Sequence, residues 1–251
     1  NAANSLVAET HGLYVPLKKK IFNGAFLKKP EWLEGLPQKI KLTALLVGQW
    51  TDSDGDQAII ESLCGIRYCD FMEQVQKYAD VEDPFIHVVN DHSSKHYFLA
   101  CVENTWDYID ISNDDPLWKQ FTRLFVEVIN ESEKLFTYTT QDRLIAQFRG
   151  EKLFWSSNIR SGMIRSLIMK AYYKNDTVCQ ETLDSLIEEI LNYVNCEEQW
   201  RYISHFFVDL CEVSPKAVLD RLYKEFSEST GLFSLFEKQS LFQTAVFYPH
   251  Q

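Results

Sequence analysis

No stretch of these 251 residues spells out a familiar catalytic or nucleotide-binding loop. The phosphate-cradling GxxxxGK[ST] pattern and the GxGxxG fingerprint are both missing, so this chain does not hold a nucleotide by either usual loop. There is no GxSxG elbow, and no cysteine is tied to a histidine by local sequence, which removes the common signatures of an activated nucleophile. The six cysteines (Cys64, Cys69, Cys101, Cys179, Cys196, Cys211) form no CxxC pair. They read as free thiols acting as small core residues, as expected in a reducing cytosol. No apolar run reaches the ~18 residues of a membrane span, and no signal-like start is visible. The expected location is cytoplasmic.

What is present is a large apolar complement, 45% of the chain, enough to bury a core without disulfides or metal. The net charge of −11 is uneven: residues 1–50 carry +4, residues 51–115 carry −12 and the remainder −3. An acidic block of that size repels phosphate backbones and disfavours nucleic acid as a partner.

The most informative stretch is Ile40–Ile66. An apolar helical run ends at Gly48-Gln49-Trp50, an acidic loop Thr51-Asp52-Ser53-Asp54-Gly55-Asp56 follows, and a second amphipathic run begins. Before it, residues 1–37 read as irregular, broken by Gly12, Pro16, Gly24, Pro30 and Gly35, and the bare start at Asn1 suggests a piece of a larger protein. Over 38–115 the pattern predicts helices at 38–47, 55–64 and 68–79. Asp52, Ser53 or Asp54 would cap the second of these, and Gly65 would end it in the left-handed conformation. Two strands at 85–89 and 96–102 then form a hairpin, which makes a winged-helix-like domain. Residues 116–251 read as helices only, at 117–130, 140–148, 158–174, 177–194, 198–212 and 214–228. Ser214-Pro215 is a clean helix start, and the series suggests α-solenoid-like repeats of no fixed period. The predicted fold class is therefore mostly α, a winged-helix-like segment with one hairpin followed by helical repeats.

Four groups of residues invite a chemical reading. Asp52, Asp54, Gly55 and Glu61 fall at positions 3, 5, 6 and 12 of a calcium loop, but position 1 is Trp50, and helix capping explains the acids as well. His87, His92 and His96 with Asp91 gather on the hairpin, where a metal or acid-base site competes with ordinary strand and turn roles. A zinc site built from distant cysteines and histidines lacks ligand spacing. Phe154, Trp155 and Arg160 combine large aromatics with an arginine at a helix start and form the best candidate for a partner-binding surface, against the alternative of a buried loop leading into the helix. No catalytic residue, metal ligand or cofactor is assigned, and whether the chain has any activity of its own stays open, with the weight against it.

The run Trp32-Leu33-Glu34-Gly35-Leu36-Pro37, then Ala44 to Trp50, then Asp56 with Ile60, Leu63, Gly65 and Tyr68, resembles the region following the ATPase module in bacterial antiphage STAND NTPases of the Avs type. Ser157 to Met163 is similar to the same proteins, as is Trp200 to Leu210 with Glu212, Pro215, Val218, Leu219 and Leu222, ending at Leu235-Phe236. The resemblance implies a non-catalytic regulatory and protein-recognition module on the sensor side of such an ATPase. Its partner would be a protein, a phage protein in the family's terms, and the full-length protein would oligomerise in antiviral defence. A rival from another class is a self-standing metal-dependent hydrolase built on the acidic block and the histidine-bearing hairpin. A third is nucleic-acid binding through helix 68–79, which Asp70 and Glu73 against Lys77 disfavour.

Overall fold

The computed structural model describes residues 30–79, 81, 83–90, 94–100, 102–131, 153–173 and 177–228. The predicted helix at 140–148, His92, Asp91 and Cys101 lie outside these residues. The described chain is mostly helical with a small three-stranded antiparallel sheet. Its contacts divide it into two compact units. The first takes the described residues up to Phe121 together with Trp155–Tyr173, and the second takes the others.

The first unit begins with a short helix α1 (Glu31–Gly35) in the stretch expected to be irregular. It forms because Trp32, only 2% exposed, sets its ring 5.0 Å from Phe85. Helix α2 (Gln38–Val47) buries every residue from Ile40 to Val47, so it is a central helix rather than an amphipathic surface one. Lys41 is buried with it and donates to the carbonyl of Leu33. Gly48, at φ 70°, ends α2, and its amide donates to Ala44 O at 2.8 Å.

The chain then enters strand β1 (Gln49–Thr51), where the sequence suggests only the end of a helical run and the start of an acidic loop. Three residues are too few to show the two-residue alternation that reveals a strand. The sheet therefore has three strands, not one hairpin. Helix α3 (Asp54–Cys64) is capped by Ser53, whose hydroxyl accepts the Asp56 amide at 3.4 Å, and it ends at Gly65 with φ 73°. Helix α4 (Tyr68–Gln76) packs Phe71, Met72 and Val75 inward.

Strands β2 (Ile86–Asn90) and β3 (Lys95–Leu99) follow, and the sheet order is β1-β3-β2. The register pairs Trp50 with Tyr97 and Val88 with Tyr97 on the other side. Trp50 is fully buried, stacks on Tyr97 at 5.3 Å and meets the Phe71 ring edge-on at 6.0 Å. Beyond Leu99 the strand stops and helix α5 (Val102–Tyr108) takes over, where the sequence had suggested strand as far as Val102. Helix α6 (Pro116–Ile129) comes next.

Helix α7 (Ser157–Tyr173) closes the unit against β1, α2 and α5. At Gly162 a Cβ would lie 2.1 Å from Val47 O and 2.6 Å from Gln49 N, so only glycine permits this approach. One turn on, the Ser166 hydroxyl donates to Leu45 O at 2.8 Å. Lys170, also buried, donates to the carbonyl of Ile111 and sits 5.0 Å above the Trp118 ring.

In the second unit α8 (Thr177–Asn192) buries Leu183, Leu186, Ile187, Ile190 and Leu191, the stripe its sequence shows. The segment expected as one helix at 198–212 is broken into α9 (Glu197–Ile203), a 3-10 turn (Ser204–Phe206) and α10 (Phe207–Val213). Helix α11 (Pro215–Glu228) starts as predicted: the Ser214 hydroxyl accepts the Ala217 amide at 3.2 Å and donates to Asp184 at 2.6 Å. It packs on α8 and α10. No helix among the described residues is long and apolar enough to cross a membrane.

Candidate functional site

The polar groups of the first unit converge on Asp56, which is fully buried. It lies in the first turn of α3, and the loop before α7 brings Ser156 to the same carboxylate. Oδ2 accepts the Thr51 amide at 2.7 Å and the Ser156 hydroxyl at 2.5 Å, while Oδ1 accepts the Ser156 amide at 2.9 Å. Ser156 Oγ in turn accepts the Ile159 amide at 3.1 Å, so it caps α7. One carboxylate thus serves two helix N-termini, whose partial positive charge and free amides favour an anion there. The bonds are charge-assisted and shielded from water, and their chemistry is structural.

Beside this hub a second chain of contacts reaches the surface. Asn158 Nδ2 donates to Thr51 Oγ1 at 3.1 Å and to His96 Nδ1 at 2.8 Å, and His96 Nε2 lies 3.0 Å from Ser94 Oγ. A hydroxyl, an imidazole and an amide in a row resemble a nucleophile, a base and an orienting group. Which groups donate and which accept along this row follows from the imidazole tautomer.

Around the buried tryptophan, the Trp50 indole N–H donates to Tyr68 OH at 3.1 Å. Burial pushes the pKa of the Tyr68 and Tyr97 hydroxyls above the ordinary phenol range. Both stay neutral hydroxyls.

Two of the three acids that match a calcium loop bond to neighbouring groups, and the third, Asp54, is exposed in the first turn of α3. Asp52 accepts from the Gln57 side chain at 2.9 Å, and Glu61 turns its carboxylate to the Tyr68 amide at 2.7 Å, the first residue of α4. Among the described residues no group of three or more His, Cys, Asp or Glu is placed to hold a metal ion. His87 is exposed on β2 and His96 is half-buried on β3. Cys64 and Cys179 are buried as expected of core thiols, whereas Cys69 and Cys196 are exposed.

The candidate partner surface divides. Phe154 is 56% exposed and Trp155 is half-buried. Arg160, expected at an exposed helix start, is 2% exposed because α7 enters the interior of the first unit from its first turn. The second unit also exposes Val178 (67%) on α8 and Val208 (64%), Leu219 (63%) and Tyr223 (78%) on its last helices.

Two features escaped the sequence reading: the bond between Asp56 and Ser156, and the row from Ser94 to Asn158. In the sequence Asp56 stands only in the acidic loop and among the residues of the resemblance. Ser156, preceding an apolar helix, was a readable cap, but nothing local pairs it with an acid far upstream. Comparison with protein-family models, with curated proteins and with solved structures finds no match.

Proposed function

We propose that this chain is a non-catalytic regulatory and protein-recognition module, the sensor-side part of a bacterial antiphage STAND ATPase. The observation that carries the reading is the order of elements. The order helix α2, strand β1, helices α3 and α4, strands β2 and β3, with sheet order β1-β3-β2 and helices alone after it among the described residues, supports a winged-helix-like reading. That is the succession the sequence resemblance implies. The polar side chains of the first unit support a regulatory rather than a chemical role, since Asp56, Ser156 and Glu61 are spent on helix ends. Exposed Leu219 and Tyr223 supply apolar surface of the kind protein partners cover. Recognition by the α4 helix of nucleic acid is disfavoured, as Asp70 and Glu73 stand on it with Lys77 just beyond.

Sequencing the genomic reading frame upstream of Asn1 tests the proposal. An in-frame GxxxxGK[ST] loop is expected, and an upstream frame without one overturns it.

A further inference from the structure

We propose that the outward face of α11 pairs with the same face of a second copy of this chain, antiparallel and about a two-fold axis. The inference rests on the protein-recognition reading above and names the partner that this face fits.

Helix α11 carries more apolar surface than its own unit covers. Ala217 and Val218 are buried, while Leu219, Tyr223 and Phe226 turn outward and are 63%, 78% and 45% exposed. Their spacing of four and then three residues sets them in one stripe, the arrangement of anchors by which one helix binds another. A helix that is apolar on both sides is stable when both sides are covered.

The order of residues along the stripe selects what covers it. Reversed about a point between Leu222 and Tyr223, α11 maps Leu219 onto Phe226 and Tyr223 onto the half-buried Leu222, so large apolar side chains meet at each level. On the flank of the stripe away from Phe226 stand Asp220 and Lys224, both exposed. The same reversal sets Asp220 of one copy against Lys224 of the other, within one residue, and does so twice. Parallel pairing would instead set Asp220 against Asp220 and Lys224 against Lys224. Net charge plays no part in this match. Lys216 bonds Asp220 at 3.0 Å within the helix, and with Lys224 and Glu228 the exposed charges of α11 are two of each sign, so they draw neither an acidic nor a basic partner. Only their sequence discriminates, and the reversed helix carries the complementary sequence. Such a two-fold contact needs one surface alone, with every pair made twice.

Sedimentation of the full chain over a series from micromolar to millimolar concentration should show a reversible equilibrium between monomer and dimer. Tyr223→Lys puts two cations at the centre of the contact and should raise the dissociation constant at least roughly tenfold. Two charge variants give a signature that unspecific adhesion lacks. Asp220→Lys and Lys224→Asp should each weaken self-association, because like charges then face each other across the axis. Mixed in equal amounts, or combined in one chain, they should restore it. If Tyr223→Lys fails to fold, the charge variants decide. A single-chain mass up to millimolar concentration, a larger mass unmoved by Tyr223→Lys, or a mixture that associates no better than either charge variant alone would each overturn the proposal. Such a failure leaves the regulatory reading intact, because the upstream reading frame decides that separately.

Discussion

At the scale of single residues, the first unit depends on a few atoms that have no substitute. Asp56→Ala leaves the Thr51 and Ser156 amides buried without an acceptor, and chemical denaturation should show a loss of roughly 3 kcal/mol. Asp52→Ala, on an exposed side chain four residues earlier, should stay within about 0.5 kcal/mol of the parent. Gly162→Ala drives a methyl group into the Val47 carbonyl and the Gln49 amide and should cost roughly 3 kcal/mol by the same measurement. The buried phenols give a pH dependence of known sign. Because folding raises the Tyr68 and Tyr97 values, the unfolded chain loses those protons first as the solution becomes alkaline. Their contribution is whole below about pH 10 and declines above it. A Tm series through that range should fall less steeply for Tyr68→Phe than for the parent.

At the scale of elements, α11 shows how a helix can be held by charge inside and leave hydrocarbon outside. It buries the Arg221 to Glu225 pair, at 2.6 Å and with side chains 11% and 6% exposed, and Arg221 also reaches Val194 O and lies over the Trp200 ring. Glu225→Ala strands the guanidinium and should cost about 3 kcal/mol, whereas Arg221→Met combined with Glu225→Leu should recover much of it. Leu219→Lys on the opposite, exposed side should change stability by less than about 0.5 kcal/mol. If it destabilised the chain as much as Glu225→Ala, that side would be core and not surface. The sequence displayed much of this element layer: the Ser53 cap, the Gly65 terminus, the α8 stripe and the Ser214-Pro215 start are all local signals. It did not display β1, which is shorter than a repeat of its own pattern, nor α1, whose single inward residue Trp32 sits among prolines. The break of the 198–212 helix at Ser204–Phe206 carries no glycine or proline to announce it.

At the scale of the whole molecule, the acidic block that first suggested chemistry turns out to be divided between helix ends and open surface. Millimolar calcium should therefore leave the Tm unchanged, and a clear rise would return Asp52, Asp54 and Glu61 to the role of ligands. Composition and periodicity made the mostly helical class legible, and they made the hairpin legible too. What they could not show was that α7 joins the first unit, because the pairing of Ser156 with Asp56, and of Gly162 with Gly48, is a matter of shape between segments far apart in the chain. The partner surface around Phe154, Trp155 and Arg160 illustrates the same limit: hydrophobicity named the residues, and only packing decided that Arg160 turns inward.

The reach of that one pairing also sets a clock. Asp56 and Ser156 are separated by 100 residues, so a ribosome adding roughly 5–20 residues per second exposes the carboxylate several seconds before its hydroxyl partner exists. Once Leu99 has been made, the residues of the sheet and of α3 are all present while the helix that closes over β1 is not. Closure of the first unit is therefore a late event in synthesis, with the high contact order that slows folding. Stalling translation between these two residues should yield a nascent chain far more open to proteases than one stalled after Tyr173.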